Sequence, residues 1–454
     1  MFMQNLHGFV VAAISFIVLI GVMVVVHEFG HFAVAKLCRV RVEAFSIGFG
    51  PRLFGVKRGD TDYKVCLLPL GGYVKMTGEN PTEGEQPVDD PGAFTSHPRW
   101  QRMLIGLAGP VANFILAFVI MFVYYNWIHE VTKDEIGSST IDWVIPGSPA
   151  AQAGFETGDV IQRFDTAPNP DWQKIGTRAS MNLNQTVPVT VARSGKTVDL
   201  SLRIPSESKL ESDLGDIVGI LPQYTPAPIG VDKVAPDTPA EKAGLHGGDK
   251  IESVDGHPFH SVAPLLAYMR LGQGKPLALV VLRNGARLNL QANPAQLDST
   301  DWKLGFAPTG FRSQMSPLPV RQAAVKSTSF CLENSTDIVE VLGRLFTRKV
   351  HVTQLSGPVG IAKMAGEAAE TKGWYPKFYI AAAISLNLGI LNLLPFPILD
   401  GGLILLLLIE GIIRHDISIN VKERIYQAAF VVLVVFFAFV MFNDVTKIFI
   451  HPKP

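Results

Sequence analysis

Four apolar stretches limit the folds open to this chain more than any other feature. A helix that crosses a lipid bilayer needs about 20 apolar residues. The first stretch starts near residue 8 and continues into the sequence HEFGH, and the others are 103–125, 378–411 and 428–442. The third is longer than one span needs and is interrupted by prolines. The sequence therefore predicts an α-helical polytopic membrane protein with four transmembrane helices.

The first stretch could instead be a secretion signal that is removed after export. No Lys or Arg precedes it, its apolar core is longer than the usual ~7–15 residues, and no A-x-A cleavage site follows it. A retained membrane helix is therefore the favoured interpretation.

The composition agrees with membrane helices combined with water-soluble domains. Hydrophobic residues make up 48% of the chain and charged residues 18%, and the mean hydropathy is +0.25. Lys and Arg balance Asp and Glu at 40 each, so nothing indicates a nucleic-acid partner. The three cysteines, Cys38, Cys66 and Cys331, form no CxxC pair, which predicts free thiols rather than disulfides or a thiolate zinc site.

The distribution of Lys and Arg predicts how the helices are oriented. Cytoplasmic connections of membrane proteins carry an excess of these residues. The first eight residues have none, whereas the connection between the third and fourth stretches has Arg414, Lys422 and Arg424. The connection between the first two stretches has the most: Lys36, Arg39, Arg41, Arg52, Lys57, Arg58, Lys64, Lys75, Arg99 and Arg102. We therefore expect both connections in the cytoplasm, and both termini and the region 127–377 on the outer face.

The large middle region contains an internal repeat. Residues 145–165 and 235–255 align without a gap. Both have Pro-x-x-Pro-Ala near the start, continue with a predicted short helix that ends in Ala-Gly, and have Gly-Asp before a predicted strand of alternating polarity. A period of about 90 residues indicates tandem globular domains rather than a solenoid. The pattern resembles PDZ domains, so we expect two α+β PDZ-like domains at 128–222 and 223–309.

The segment between the first two apolar stretches has a sequence pattern that differs from that of the stretches themselves. Residues 40–76 alternate in polarity and are broken by Gly-Phe-Gly-Pro, Arg-Gly-Asp and Gly-Gly, which predicts short strands and turns. Such β structure could enter the bilayer if its backbone groups are paired or buried in protein. An ordinary cytoplasmic hairpin is the alternative.

These features divide the chain into five parts. Residues 1–127 form the first part of a membrane core, with the membrane-associated β region, and residues 378–454 form its second part. Between them lie the two PDZ-like domains and a segment, 310–377, that is expected on the outer face. Within it, 317–349 has apolar residues at helical spacing, which predicts an amphipathic helix.

The sequence HEFGH at the end of the first stretch is the strongest functional signal. On a helix, His27 and His31 lie four residues apart on one face and can present both imidazoles to one zinc ion. Glu28 lies beside them, where it can accept a proton from an attacking water. Placing polar residues at the end of an apolar span costs free energy, so a functional role is the first hypothesis for them. The alternative is that they are satisfied polar groups facing the interior of the helix bundle.

A hydrolytic zinc site usually has three protein ligands and one open position. Asp400 stands between apolar residues in the third stretch, whereas Glu410 is nearer a helix end. His7 and His129 lie near the outer edge of the membrane, opposite His27. Asp400 is therefore the predicted third ligand, and a helix-capping role is the alternative.

The third stretch contains a break in its helical pattern. Pro395 and Pro397 before Asp400, with Gly401 and Gly402 after it, interrupt helical hydrogen bonding at membrane depth. Such a break persists only where protein or a polar cavity satisfies the freed groups. Asn387 and Asn392 could bind an incoming backbone or hold neighbouring helices together. In the second stretch, Gly106, Gly109 and Asn113 most simply allow close helix packing.

The motifs together resemble the site-2 protease family of intramembrane zinc metalloproteases. They are HEFGH, the Asn-x-x-Pro-x-Pro-x-Leu-Asp-Gly pattern of the third stretch, GFGP, GGYVKM, GPVAN, LSGPVGIA and the PDZ-like insertion. The resemblance covers essentially the whole chain. One departure is Leu403, where many relatives have histidine after Asp-Gly-Gly, but that position is not among the metal ligands.

The resemblance implies an activity, a place and a class of substrate. It implies zinc bound by His27, His31 and Asp400, Glu28 as catalytic base, and Asn392, Pro395 and Pro397 near the substrate. The expected location is the bacterial inner membrane, with the PDZ-like domains periplasmic and the active site near the cytoplasmic side. The implied substrates are single-span membrane proteins, namely an anti-sigma factor already shortened by another protease and remnant signal peptides.

A substrate helix must be unwound before its peptide bonds can be cut. An edge strand offers replacement hydrogen bonds to an extended segment. We therefore expect Gly72, Tyr73 and Val74 to bind substrate backbone, with Asn392 holding the unwound chain. The PDZ-like pair would recognise a trimmed substrate end or act as a steric filter. The alternative from another class is a catalytically silent membrane scaffold that gathers partners through its PDZ pair.

Overall fold

The computed structural model describes residues 2–79, 90–132, 139–205, 217–298, 301–309, 313–347 and 357–450. These residues form two compact units, one comprising Met1–Glu130 with Met315–Pro454 and the other Val131–Gln314. The helices are α1 Phe2–Leu37, α2 Arg99–Val123, α3 Pro149–Gln152, α4 Trp172–Met181, α5 Pro239–Lys242, α6 Val262–Gly272, α7 Val320–Phe346, α8 Pro358–Glu370, α9 Tyr375–Asn392, α10 Asp400–Ile413 and α11 Ile419–Ile450. A short 3-10 helix, Phe94–Ser96, precedes α2, and a π-helical turn, Tyr124–Ile128, extends it.

The strands are β1 Val42–Arg58, β2 Thr61–Met76, β3 Glu130–Thr132, β4 Thr140–Val144, β5 Val160–Phe164, β6 Ala167–Pro168, β7 Thr186–Arg193, β8 Lys196–Arg203, β9 Ile220–Gln223, β10 Ile229–Val234, β11 Lys250–Val254, β12 Leu277–Arg283, β13 Ala286–Ala292, β14 Ala295–Asp298, β15 Asp301–Lys303, β16 Phe306–Pro308 and β17 Ser313–Met315. Only β1 and β2 belong to the sheet that lies beside α1 in the first unit. The larger sheets belong to the second unit.

Three of the described helices are long and apolar enough to cross a membrane. They are His7–Leu37, Arg99–Ile128 and Asn420–Asp444. These correspond to the first, second and fourth predicted stretches. The protein is therefore a helical membrane protein with additional β-sheet regions.

The third predicted stretch is two helices rather than one. Helix α9 ends at Asn392, the chain turns through residues 393–399, and α10 begins at Asp400. Prolines 395 and 397 stop the helix because proline lacks an amide hydrogen. A Cβ on Gly402 would lie 2.1 Å from the carbonyl oxygen of Phe396, so glycine lets α10 start directly against the turn.

Strands β1 and β2 fold into a sheet with four segments because both strands bend. Residues 44–47 pair on one side with 62–65 and on the other with 72–75. Among the described residues, 72–76 therefore forms an edge of this sheet. The amide of Val74 donates to Glu28 Oε2 at 3.1 Å, so this edge faces α1. The predicted β structure at 40–76 is present.

The second unit contains two sheets of similar design. Their strand orders are β8-β7-β5-β4-β9, with β6 beside β5, and β13-β12-β11-β10-β16. This unit has two apolar cores. Helix α4 contributes Ile175 to the first core, and α6 contributes Leu265 to the second, which also includes Trp143 of β4 and Leu221 of β9. The repeat seen in the sequence thus has a structural counterpart in sheet order.

The Gly-Asp step of each repeat has a structural role that the sequence pattern did not reveal. Asp159 and Asp249 each have side chains only 1% exposed. Arg193 holds the first carboxylate through Nε and Nη2 at 2.7 Å, and Arg283 holds the second in the same way. A buried carboxylate needs such a partner because an unpaired one is strongly destabilising. The repeat therefore includes a buried ion pair at equivalent positions.

Helix α7 occupies most of the predicted amphipathic segment. Its buried side includes Ala323 and Phe330, and Phe330 packs with Met121 of α2 and Ala382 of α9. Its exposed apolar side chains are Val320, Val325, Leu332 and Val339. The helix is thus amphipathic, as predicted, whereas its place on the outer surface of a membrane stays a prediction.

Candidate metal centre

Helices α1 and α10 bring three predicted metal ligands together. The Nε2 atoms of His27 and His31 lie 3.2 Å apart. Asp400 places Oδ2 at 3.1 Å from His27 Nε2 and Oδ1 at 3.4 Å from His31 Nε2. The two histidines are 6% and 8% exposed. Two residues on one turn of α1 and one at the first position of α10 thus form a compact, buried cluster.

The spacing of these atoms fits a zinc ion. Zinc holds nitrogen and carboxylate oxygen ligands at about 2.0–2.2 Å, so ligand atoms in a tetrahedral site lie roughly 3.3–3.5 Å from one another. The observed separations are close to this range, and all three ligand atoms lie within 4.8 Å of one another. Two imidazoles and one carboxylate are also the donor set of a hydrolytic zinc site with one open position.

The outer nitrogen of His31 fixes the tautomer of that histidine. His31 Nδ1 lies 2.7 Å from the carbonyl oxygen of Ile105, which can only accept, so the proton is on Nδ1. The lone pair of Nε2 then faces the cluster. For His27, Nδ1 lies 3.2 Å from the side-chain amide of Asn113.

For His27 to bind a metal through Nε2, the amide of Asn113 must turn its oxygen toward His27 Nδ1. As placed, Asn113 Oδ1 is buried without a hydrogen-bond partner. A half-turn of the amide exchanges oxygen and nitrogen, which are nearly equivalent in shape. Oδ1 then accepts from His27 Nδ1, and both Nε2 lone pairs point at the same place. Two lone pairs and a carboxylate that converge in this way favour a bound cation.

Helix α2 closes the site from the other side. A Cβ on Gly109 would lie 2.2 Å from His31 Nε2 and 2.8 Å from His27 Cε1. The absence of a side chain at this position therefore makes room for both imidazoles. The sequence predicted a helix-packing role for Gly109 and Asn113 and gave no indication that they contact the histidines. The motif GPVAN was the available signal.

Glu28 lies next to the cluster and is positioned by the edge strand. Its Oε2 accepts the Val74 amide at 3.1 Å, and its Cγ lies 3.5 Å from the Cβ position of Gly72. The backbone hydrogen bond orients the carboxylate without adding a competing positive charge. The structure thus brings Glu28, Gly72 and Val74 together, whereas substrate binding by residues 72–74 stays a prediction.

The other predicted substrate residues differ in their surroundings. Asn392 Nδ2 lies 3.3 Å from His27 Nε2, at the end of α9 and within the site. Pro397 lines a cavity of about 790 Å³ together with Asp400. Pro395 lies in the turn between α9 and α10. The Tyr73 ring stacks on Phe49 at 6.1 Å between centroids, so its side chain is engaged within the sheet.

Comparisons with known proteins show which proteins this chain is similar to. The profile of peptidase family M50 matches residues 15–436. The regulator of sigma-E protease RseP of Escherichia coli is 36% identical over 452 residues, which cover 96% of this chain and 98% of that protein. A regulator of sigma E protease of Salmonella typhi is 36% identical over 458 residues, with coverage of 96% and 98%. A Neisseria meningitidis protein whose name describes it as a zinc metalloprotease is 32% identical over 452 residues, with coverage of 96% and 99%.

Proposed function

Since the chain belongs to peptidase family M50, the zinc metalloproteases of the site-2 type, we propose that His27, His31 and Asp400 hold the zinc. We propose further that the protein hydrolyses peptide bonds within membrane-spanning segments of other proteins. The observation that supports this most is the position of the cluster. Two of the three side chains lie in a helix whose segment His7–Leu37 is long and apolar enough to cross a membrane.

The chemistry would be divided between the metal and three groups of this chain. A bound zinc ion supplies Lewis-acid chemistry, which polarises a carbonyl and makes water nucleophilic near neutral pH. Glu28 accepts the proton of the attacking water and passes it to the leaving amine. The Val74 amide keeps the carboxylate in place for both transfers. Asn392, beside His27, is placed to donate a hydrogen bond to substrate backbone.

Substrate would reach this site as an extended segment beside residues 72–76. Because Val74 donates outward to Glu28, the alternation of a strand directs the backbone groups of Gly72 outward as well. A segment that pairs with these groups regains hydrogen bonds lost on unwinding. Its peptide bonds would then lie next to Glu28 and the metal ligands. We therefore assign substrate binding to the backbone of Gly72 and Val74, whereas Tyr73 between them turns its backbone groups toward Ser46 within the sheet.

Replacing Val74 by proline is expected to reduce cleavage of a membrane substrate by at least about tenfold, while Val74→Thr changes it little. Proline removes the amide hydrogen that Val74 donates to Glu28, and its ring lies on the edge of the sheet formed by residues 72–76. Proline is tolerated on edge strands, so the sheet should survive. Initial cleavage rates of the two variants, together with their zinc content, check this. Cleavage by Val74→Pro at the wild-type rate would exclude the edge strand as the substrate site.

The wider architecture is also a proposal. We infer four spans, with α9 and α10 together forming the third, and two PDZ-like domains within Val131–Gln314. The exposed apolar side chains of β1 and β2, which include Phe49, Phe54 and Leu68, support contact between this sheet and the lipid bilayer. The orientation rests on the Lys and Arg distribution, with the zinc site near the cytoplasmic side of the bacterial inner membrane.

The substrates we propose are single-span membrane proteins. Two relatives are named as regulators of sigma-E, which agrees with an anti-sigma factor that another protease has already shortened. Remnant signal peptides form a second candidate class. The PDZ-like pair would either bind a newly exposed chain end or exclude substrates with large outer domains.

Cleavage inside a span tests the proposed function directly. Purified, zinc-loaded protein is incubated in detergent with a single-span substrate, and the product masses locate the cut. We expect two fragments that divide the apolar segment, and we expect a chelator to stop their formation because the ligands then hold no metal. An intact substrate would support the silent scaffold instead.

A further inference from the structure

We propose that the cavity beside Asp400 binds Lys or Arg residues that flank the membrane segment of the substrate. The protein would then select substrates by positive charge at a defined distance from the scissile bond. This proposal rests on the proposed function, since it concerns how a membrane segment is chosen for that reaction. It concerns a different set of side chains from those that carry out the reaction.

The cavity has a volume of about 790 Å³ and runs from the metal cluster along α10. Besides Asp400, its charged lining consists of four carboxylates and two cations: Glu79, Glu410, Asp416, Glu423, Arg102 and Lys422. With Arg99, which pairs with Asp416, the carboxylates outnumber the cations by four to three even when Asp400 is assigned to the metal. A concave site with an excess of one sign of charge concentrates ligands of the opposite sign.

Glu410 has a carboxylate oxygen that lacks a partner. Its side chain is 0% exposed, and Oε1 accepts both the Lys422 ammonium at 2.6 Å and the Ile417 amide at 3.0 Å. Oε2 is buried and has no hydrogen-bond partner among the described residues. A buried, unsatisfied carboxylate oxygen is costly, so a second donor that reaches it would be stabilised. Lys422 already shows that an ammonium group fits beside this carboxylate.

The other carboxylates differ in how much negative charge they leave for a ligand, because Arg99 offsets the charge of Asp416 whereas no ion pair is seen for Glu423 among the described residues. Arg99 contacts Asp416 at 2.6 Å and holds the pKa of that carboxyl below its usual range. Asp416 is therefore ionised at neutral pH. Glu423 accepts a 3.3 Å hydrogen bond from Gln427, one turn further along α11. An incoming ammonium or guanidinium group thus meets more than one carboxylate.

The orientation of the cavity matches the distribution of charge in membrane proteins. It is lined by Arg102 near the start of α2, the end that the Lys and Arg distribution assigns to the cytoplasm. Membrane segments carry their Lys and Arg predominantly on that same side. A substrate segment held at the zinc site would therefore direct its basic flank toward this cavity rather than away from it.

The length of α10 sets the distance at which a basic residue would be recognised. Asp400 and Glu410 are ten residues apart on this helix, which corresponds to about 15 Å at 1.5 Å per residue. An extended chain covers about 3.3 Å per residue. A basic residue roughly four to six residues from the scissile bond would therefore reach Glu410.

A set of matched substrates tests this proposal. One carries two Lys residues about five residues from the cut on the cytoplasmic side, a second has Gln there, and a third has the Lys pair moved about ten residues away. We expect the wild type to cleave the first about fivefold faster than the other two, the size expected of one or two screened ion pairs. Glu410→Gln and Glu423→Gln should each bring this ratio closer to one. Glu410 is fully buried, so Glu410→Gln alone could fail by misfolding. Glu423→Gln tests the same cavity at a more exposed position.

Glu333→Gln serves as the matched control, because Glu333 is exposed on α7 and does not line the cavity. It should keep the wild-type ratio. Equal cleavage of all three substrates by the wild type, or an unchanged ratio in both cavity variants, would overturn the proposal. Either result still leaves cleavage of the Gln-flanked substrate as separate support for the proposed function. Failure to cleave any substrate would count against the function itself.

Discussion

Replacing Glu28 by glutamine is expected to lower the rate of cleavage by about 10²–10⁴-fold, the range that a positioned acid–base group contributes. Glutamine has nearly the same shape and can still accept the Val74 amide through its carbonyl oxygen. It cannot take a proton from the attacking water. The variant should therefore fold and bind zinc as the wild type does, because Glu28 is not among the three clustered ligands.

Cleavage rates on a single-span substrate, measured with the zinc content of the same preparations, check this result. Glu333→Gln makes the same chemical change on the exposed side of α7 and should leave the rate unaltered. If Glu28→Gln cleaved as fast as the wild type, the protease would not use this site. Loss of zinc together with activity would instead make Glu28 a contributor to the metal site.

Much of the candidate metal site could be predicted, because its residues lie close together in sequence or are energetically unfavourable in an apolar stretch. His27 and His31 are one helical turn apart, so their shared face follows from helix geometry alone. Asp400 is distant in sequence, but placing an acidic residue in an apolar membrane stretch costs free energy, so its presence there indicates a function. The structure brings it within 3.1 Å of His27 Nε2.

The residues that support the histidines could not be predicted in the same way. Gly109 and Asn113 act through the register between α1 and α2, and a sequence does not state how two helices are rotated against each other. Both residues suit close packing, which was the simpler interpretation. Only the 2.2 Å approach of a Cβ at Gly109 and the contact of Asn113 with His27 Nδ1 show their second role.

The number of spans illustrates a different limit. Hydropathy summed over 378–411 describes one long apolar stretch, although the chain forms α9 and α10 with a turn between them. Pro395 and Pro397 marked the break, but apolarity alone does not tell whether both halves cross the bilayer. In the unit Val131–Gln314, the repeat is visible in the sequence, whereas the Asp159–Arg193 ion pair is not, because its members are 34 residues apart.

Replacing Asp400 by asparagine is expected to weaken zinc binding by more than about 100-fold. This loss exceeds the loss of metal affinity of up to about 100-fold that usually follows when a residue beside the ligands is replaced. Asparagine keeps the size of the side chain but removes the negative charge that offsets the metal. His27 and His31 would remain as two neutral ligands from one turn of α1. The site would then lose its link between α1 and α10, and cleavage would be lost with it.

We propose that one zinc ion is shared by α1 and α10, whose ligands lie more than 360 residues apart in sequence. Zinc bound per chain, measured after dialysis against a weak chelator, tests it most directly. We predict about one zinc in the wild type, in Glu28→Gln and in Glu410→Gln, a carboxylate change on the same helix, and almost none in Asp400→Asn. Retention of zinc by Asp400→Asn at the wild-type affinity would contradict the assembled site.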